Sequence, residues 1–244
     1  MSKSLTIAIS TYQDRIYEAL NLAKRIKSNG FKVLIIHQSN DEIEKTYIPH
    51  GIEYIHIVGR GVARSRNKAI EIVKSGFLWF MDDDCEIDFD ELSNLSEVLK
   101  NDFYNHGFIT VQSKNENGKL RKKYFPEGYK HNLFSIHRFG TIEIIVNIGS
   151  IKKEFLEGQL LFPENMGAGA LYPLCDEPVF LARIIKAGKL ASHVCKTPVI
   201  HKDESSGMLL NILPSKRVAF KLIHGNFLGE LIFLVFLLKY RFKP

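Results

Sequence analysis

Apolar and polar positions alternate in a rhythm that predicts strand, helix and strand in turn over the first third of the chain. Leu5 to Ser10 is a short, nearly continuous apolar run and reads as a strand. Arg15 to Ser28 carries Ile16, Leu20, Ala23 and Ile26 at helical spacing and stops at Asn29-Gly30, a helix-ending pair. Lys32 to Ile36 and Ile52 to Val58 read as further strands, and Ser65 to Lys74 as a helix ending at Gly76. Phe77-Leu78-Trp79-Phe80-Met81 is short, aromatic and bounded by Gly76, which predicts a buried strand. Strands alternating with helices imply a mostly parallel α/β sheet with helices packed on it.

After this point the pattern loosens. Glu91 to Lys100 reads as a helix that Asp88 or Asp90 could cap. Phe108 to Gln112 and Ile142 to Ile148 read as strands, Pro178 to Ala187 as a helix closed by Gly188, and Pro198 to His201 as a short strand. Lys114 to Asn132 is polar, basic and punctuated by glycine, so it reads as a long loop or a small hairpin. Phe227 to Leu238 is almost wholly apolar apart from Gly229 and Glu230. Lys216, Arg217, Lys221 and His224 precede it, and Lys239, Arg241 and Lys243 follow. A dozen or so apolar residues are too few to span a bilayer, which needs about twenty. Two readings stay open: a helix packed on the core, or a helix lying on an anionic membrane surface through residues 216–243.

Composition narrows the picture. The 244 residues suffice for one large domain or two small ones, and 45% hydrophobic content excludes a disordered chain. A net charge of +6 suits an anionic partner without choosing one. Cys85, Cys175 and Cys195 are widely spaced, with no zinc or disulfide pattern, which favours a reducing compartment. The chain goes directly into Leu5-Thr6-Ile7-Ala8-Ile9, and no signal peptide is read there. The expected location is cytoplasmic, with a peripheral position on the cytoplasmic membrane face if the tail binds lipid.

The strongest chemical signal is Asp82-Asp83-Asp84 at the end of the aromatic strand. Carboxylates crowded beside a buried strand repel one another, and a hard divalent cation relieves that repulsion through oxygen ligands. Ligands in open α/β sheets also bind beyond the carboxyl ends of strands. A lone Asp there would be a turn or capping residue. A calcium loop over Asp82 to Asp90 fails, because Ile87 stands at the turn position that needs Gly and Ser93 at the closing position that needs Glu. A second signal is Gly59-Arg60-Gly61-Val62-Ala63-Arg64-Ser65-Arg66-Asn67. Arg64 and Arg66 fall at a helix N-terminus, where cations are disfavoured unless an anion is bound there. The alternative is a solvated basic turn, and the segment is neither a P-loop nor a dinucleotide fingerprint. Asp176-Glu177 opens a helix, either as capping acids or as a general base at a cleft. His201 could complete a carboxylate metal site if the fold brings it beside Asp84.

In order and spacing these segments resemble the family 2 glycosyltransferases of the GT-A fold. The resemblance rests on Thr6-Ile7-Ala8-Ile9-Ser10-Thr11-Tyr12, on Gly61 to Ile70, on Phe80-Met81-Asp82-Asp83-Asp84, and on Asp176-Glu177 followed by Phe180, Arg183 and Ala187-Gly188. His201 follows where many members carry a metal-binding His. The resemblance implies a Rossmann-like nucleotide-binding sheet in a catalytic domain over 1–205, with a nucleotide-sugar half at 1–113 and an acceptor half at 114–205. Residues 206–244 are expected to form a helical tail. It implies an inverting transfer from a nucleotide sugar, most readily a UDP-sugar, to a hydroxyl of a lipid-linked or polysaccharide acceptor. Asp84, with Asp82 and His201, would hold Mn²⁺ or Mg²⁺. Asp82 and Asp83 would face the nucleotide, as would Arg64 and Arg66, and Thr11 and Tyr12 would line the base pocket. Glu177 would be the base, supported by Asp176.

Two departures stand out. The acids that the family carries after the second strand are replaced by Ile35-Ile36-His37-Gln38-Ser39-Asn40-Asp41, so Gln38 or Asp41 would have to substitute. The Gly before the acidic pair is Cys175, and the pair is Asp-Glu rather than Glu-Asp. Rival classes are a sugar-phosphate nucleotidyltransferase and a non-catalytic membrane- or nucleic-acid-binding module. No aromatic-basic motif supports nucleic acid.

Overall fold

A computed structural model describes residues 5–40, 47–202 and 212–241. Asp41, one of the expected nucleotide contacts, lies outside the described residues. The first half runs β1 (Leu5–Tyr12), α1 (Ile16–Ser28), β2 (Lys32–Ser39), β3 (Glu53–Val58), α2 (Val62–Ile72), β4 (Phe77–Asp82), β5 (Glu86–Ile87) and α3 (Phe89–Asp102). The second half runs β6 (His106–Thr110), β7 (Ser113–Lys114), β8 (Ile144–Asn147), α4 (Ile148–Leu156), α5 (Asp176–Lys186), β9 (Leu190–His193), β10 (Val199–Ile200), α6 (Leu213–His224) and α7 (Asn226–Arg241).

Seven strands form the central sheet in the order β3-β2-β1-β4-β8-β6-β9. Only β8 runs antiparallel to its neighbours, β4 and β6. The chain winds outward from β1 to β3, then returns to place β4 on the other side of β1. The strand order therefore reverses between β1 and β4, and ligands in such sheets bind at the carboxyl ends beside that reversal. Both faces of the sheet are covered, so β4 alternates between two cores. Phe77, Trp79 and Met81 pack with α1 and α3, while Leu78 and Phe80 pack with α2, α4 and α5. The indole Nε1 of Trp79 donates to the Ile142 carbonyl at 2.8 Å, which satisfies the one polar atom of that buried side chain.

A second sheet, β5-β10-β7, sits beyond the tip of β4. Ile200 pairs with Glu86 in its antiparallel register, which sets His201 level with the chain leaving Asp84. Two differences from the sequence reading concern elements. The apolar run 142–148 is not one strand: it turns into a helix at Ile148, whose Ile148, Ile151 and Phe155 face the core. Leu190–His193 is a strand, although it lacks β-branched residues, because β6 pairs with it. The 114–132 segment, read as a long loop or a small hairpin, begins as a small hairpin, with Lys114 bridged to Leu120, and continues as loop. In the tail, α6 buries Ala219 and Ile223 in the core, and α7 lies on α6, where Gly229 leaves room for the Phe220 carbonyl.

Candidate functional site

A cleft of about 540 Å³ opens at the carboxyl edge of the sheet, where β1 and β4 part. That volume suits a nucleotide-sized ligand. Thr11 and Tyr12 reach it from the end of β1, Gln38 from β2, Asp82 to Asp84 from β4, Arg66 from α2, Asp176 and Glu177 from α5, and His201 from the small sheet. Residues more than a hundred positions apart in sequence are thus assembled on one wall.

Arg66 organises the inner end. Its buried guanidinium pairs with Asp176 and lies 3.2 Å from Glu177 Oε1. The Thr141 hydroxyl donates to the same Glu177 oxygen at 2.5 Å. Burial pushes the Asp176 carboxyl above the ordinary range despite Arg66. Burial acts on Glu177 in the same sense, but Arg66 and Thr141 outweigh it and hold this carboxyl below its usual value. The result is an ionised carboxylate facing the cleft, set on a partner that gives up its charge more readily. Two backbone features make room for this pair. Gly167, at φ +90°, leaves the space that the Asp176 carboxylate fills, since a Cβ there would sit 2.7 Å from Oδ1. Cys175 adopts φ 72° at the start of α5, the left-handed turn for which the family pattern uses Gly.

The acidic triplet divides its labour. Burial raises the Asp82 carboxyl above the normal range, even though Arg66, the strongest charge acting on it, pulls the other way. Asp83 is buried, accepts from the Thr11 hydroxyl at 2.6 Å and pairs with Arg15. Asp84 is half exposed at the mouth. His201 Nε2 lies 3.4 Å from Asp84 Oδ1, and Arg15 Nη2 lies 3.1 Å from Asp84 Oδ2. His201 holds the Asp84 carboxyl far below its usual value, and Asp84 in turn raises the imidazole.

The donor set fits a divalent cation. Asp84, Cys85 and His201 offer ligand atoms within 4.8 Å of one another. His201 Nδ1 lies 2.7 Å from the Lys202 carbonyl, so that nitrogen carries a proton and Nε2 is left to face Asp84. This outer hydrogen bond is the usual orienting partner of a metal-binding imidazole. Cys85 is a poor member, because burial pushes its thiol up strongly and hard cations prefer oxygen. Asp82, expected as a ligand, is not in this group.

Other expected contacts separate. Arg64 does not line the cleft: its guanidinium packs against Gly59, so of the two helix-start arginines only Arg66 enters. The Thr11 hydroxyl is committed to Asp83, and the Tyr12 hydroxyl donates to Asn40 Oδ1 at 2.7 Å. The Arg60 guanidinium lies 5.4 Å from the Tyr12 ring centroid and lines the cleft. Gln38 Nε2 is buried without a hydrogen-bond partner among the described residues. Sequence reasoning missed Arg15, Arg60, Arg121 and Thr141 as lining residues. Arg60 stood within the glycine-arginine segment and Arg121 within the basic loop, whereas nothing in the sequence marked Thr141.

Comparison with known proteins adds the family context. The sequence profile described as "Glycosyl transferase family 2" matches residues 6–156, more than half of the chain. That range takes in the acidic triplet and Arg66 but ends before Asp176. No curated protein matches at the sequence level. Among solved structures, S. aureus TarS 1–349 superposes with a TM-score of 0.61 at 14% identity, covering 90% of this chain and 65% of that one. Its complex with UDP gives 0.62 at 12% identity over 90% and 65%, and its complex with UDP-GlcNAc 0.60 at 12% over 90% and 66%. The chain spans 39% of the longer TarS structure. The shared architecture is the GT-A fold, a mostly parallel sheet flanked by helices.

Proposed function

The chain belongs to glycosyl transferase family 2, and on that premise we propose that it transfers a sugar from a UDP-sugar to an acceptor hydroxyl with inversion at the anomeric carbon. The observation that carries this reading is the pairing, across one cleft, of an ionised Glu177 with the Asp84–His201 mouth. Glu177 takes the proton of the acceptor hydroxyl as that oxygen attacks the anomeric carbon. The carbon–oxygen bond to the diphosphate breaks on the opposite face, and UDP departs. Arg66 keeps Glu177 ionised between turnovers, and the Thr141 hydroxyl fixes the orientation of the carboxylate. Mn²⁺ or Mg²⁺ held by Asp84 and His201 would offset the charge developing on the departing diphosphate. The crystallised TarS complexes with UDP and UDP-GlcNAc support a uridine nucleotide as donor. The test is a panel of nucleotide sugars with Mn²⁺ and an acceptor mixture. Release of nucleoside diphosphate supports the transferase. Release of pyrophosphate from a sugar phosphate and a nucleoside triphosphate would support the nucleotidyltransferase instead.

Gln38 takes the place of the family's acids in this reading. Its buried amide donor has no partner among the described residues, and a carbonyl of the base would satisfy it. Gln38→Leu should weaken UDP binding about tenfold or more, because the variant cannot donate to that carbonyl. Titration calorimetry reads this directly, and unchanged affinity would remove Gln38 from the base site.

The acceptor in this proposal is lipid-linked or a growing surface polysaccharide, met at the cytoplasmic face of a membrane. Support comes from α7, where Phe227, Leu231, Leu234, Val235 and Leu238 form one exposed apolar stripe. Among the described residues no helix is long and apolar enough to cross a membrane. Arg217 and Lys221 pair with Glu230, so these two cations are not free for headgroups as the sequence suggested. The apolar stripe would then supply most of the attraction. Leu231→Glu combined with Val235→Glu should abolish co-sedimentation with anionic vesicles while leaving UDP binding intact. Continued co-sedimentation would end the membrane reading.

A further inference from the structure

Arg15 holds a position that the transfer mechanism does not use. It closes a single 3₁₀ turn, Gln13–Arg15, directly after β1. That turn has a fixed base: Gln13 is held at φ 50°, and His37 Nε2 lies 2.9 Å from its carbonyl. Its tip is accessible: the Arg15 side chain is 52% exposed and lines the cleft. The guanidinium spans Asp83 and Asp84 at once. With His201 on Oδ1 and Arg15 on Oδ2, both Asp84 oxygens are engaged, so a cation entering there competes with Arg15. A dication brought to Asp84 supplies the charge that Arg15 supplied, and repulsion between the two favours release of the guanidinium. The released side chain is long, charged and already in the cleft. The anion that then enters is a diphosphate, for which guanidinium is a matched fork of donors.

We propose that Arg15 neutralises Asp83 and Asp84 in the empty cleft and transfers its charge to the donor's diphosphate once a divalent cation takes Asp84. The inference rests on the metal reading of Asp84, and the test separates the two. Binding is measured by titration calorimetry, first with Mn²⁺ alone and then with UDP at saturating Mn²⁺, on the wild-type chain, Arg15→Gln and Asp84→Asn. The exchange predicts opposite signs for Arg15→Gln: Mn²⁺ binds about fivefold tighter or more, because its competitor is gone. UDP binds about tenfold weaker, because a charge-assisted contact is lost. Weakening of both ligands would make Arg15 a structural prop, and no change in Mn²⁺ affinity would leave an ordinary phosphate contact. Tighter Mn²⁺ with unchanged UDP would reject the transfer. Each of these three results overturns the proposal. A wild-type chain that binds no Mn²⁺, or an Asp84→Asn chain that binds it equally, overturns the metal reading, and the exchange with it. If Arg15→Gln fails to fold, Arg15→Lys carries the same test, with the same signs and smaller changes, since it keeps the charge and loses the fork.

Discussion

Glu177→Gln is expected to bind UDP as the wild-type chain does and to lower turnover by about 10²- to 10⁴-fold, the usual contribution of a positioned general base. The side chain keeps its shape and can still accept from the Thr141 hydroxyl, whose 2.5 Å bond fixes the native carboxylate. It loses only the capacity to take a proton. The carboxylate is suited to that task because Arg66 and Thr141 together hold it below its ordinary range, so it is ionised at neutral pH. Its neighbour Asp176 is raised by burial and is enclosed between Arg66 and Gly167. The assignment therefore predicts asymmetry: Asp176→Asn should impair turnover less than Glu177→Gln. Steady-state rates with UDP affinity measured alongside decide the matter, and retained turnover in Glu177→Gln would reject this base.

The second large effect concerns stability. Arg66→Met should destabilise the fold by about 3–5 kcal/mol, the usual cost of leaving a buried carboxylate without its partner. Arg66 is buried, and the charges facing it are Asp176, Glu177 and Asp82. Methionine fills much of the volume, so the loss is electrostatic rather than a cavity. The deficit should also depend on pH in a definite direction. Asp176 already has a folded-state pKa above its unfolded value, so the folded chain holds this proton more firmly and acid favours folding as far as this group is concerned. Removing Arg66 strengthens that tendency. The gap between variant and wild type should therefore narrow as pH falls from neutrality toward the ordinary carboxylate range. Urea unfolding at several pH values measures it, and a gap that is small at neutral pH, or that widens on acidification, would mean that Arg66 is not the counter-ion of this pair.

Much of the architecture could be read from the sequence because the nucleotide half depends on local pattern. Phe77 to Met81 had to be a strand buried on both faces, and its acidic end had to lie at the carboxyl edge of the sheet. What escaped was set by distant contacts. The break between β8 and α4 falls at Asn147, whose amide donates to the Phe103 and Tyr104 carbonyls, far off in sequence. β9 owes its extended form to pairing with β6 and to a bridge between Ser192 and Lys130. Arg64 and Arg66 looked alike as residues, but two positions on a helix are more than half a turn apart, so when Arg66 faces the cleft Arg64 cannot. Arg15 gave no signal, because its meaning depends on carboxylates 68 or so positions away. Cys175 is the reverse case: the missing Gly was visible in the sequence, and the structure shows the left-handed turn that Gly would adopt freely.

In the proposed reaction the tip of β4 grips a cation for the donor's diphosphate. Anomalous scattering from a crystal soaked in Mn²⁺ and UDP tests it most directly. One peak shared by Asp84 and His201 is expected, with the UDP phosphates against it and the base beside Gln38. UDP bound in the cleft with no peak at Asp84, or Mn²⁺ found only elsewhere on the chain, would contradict it.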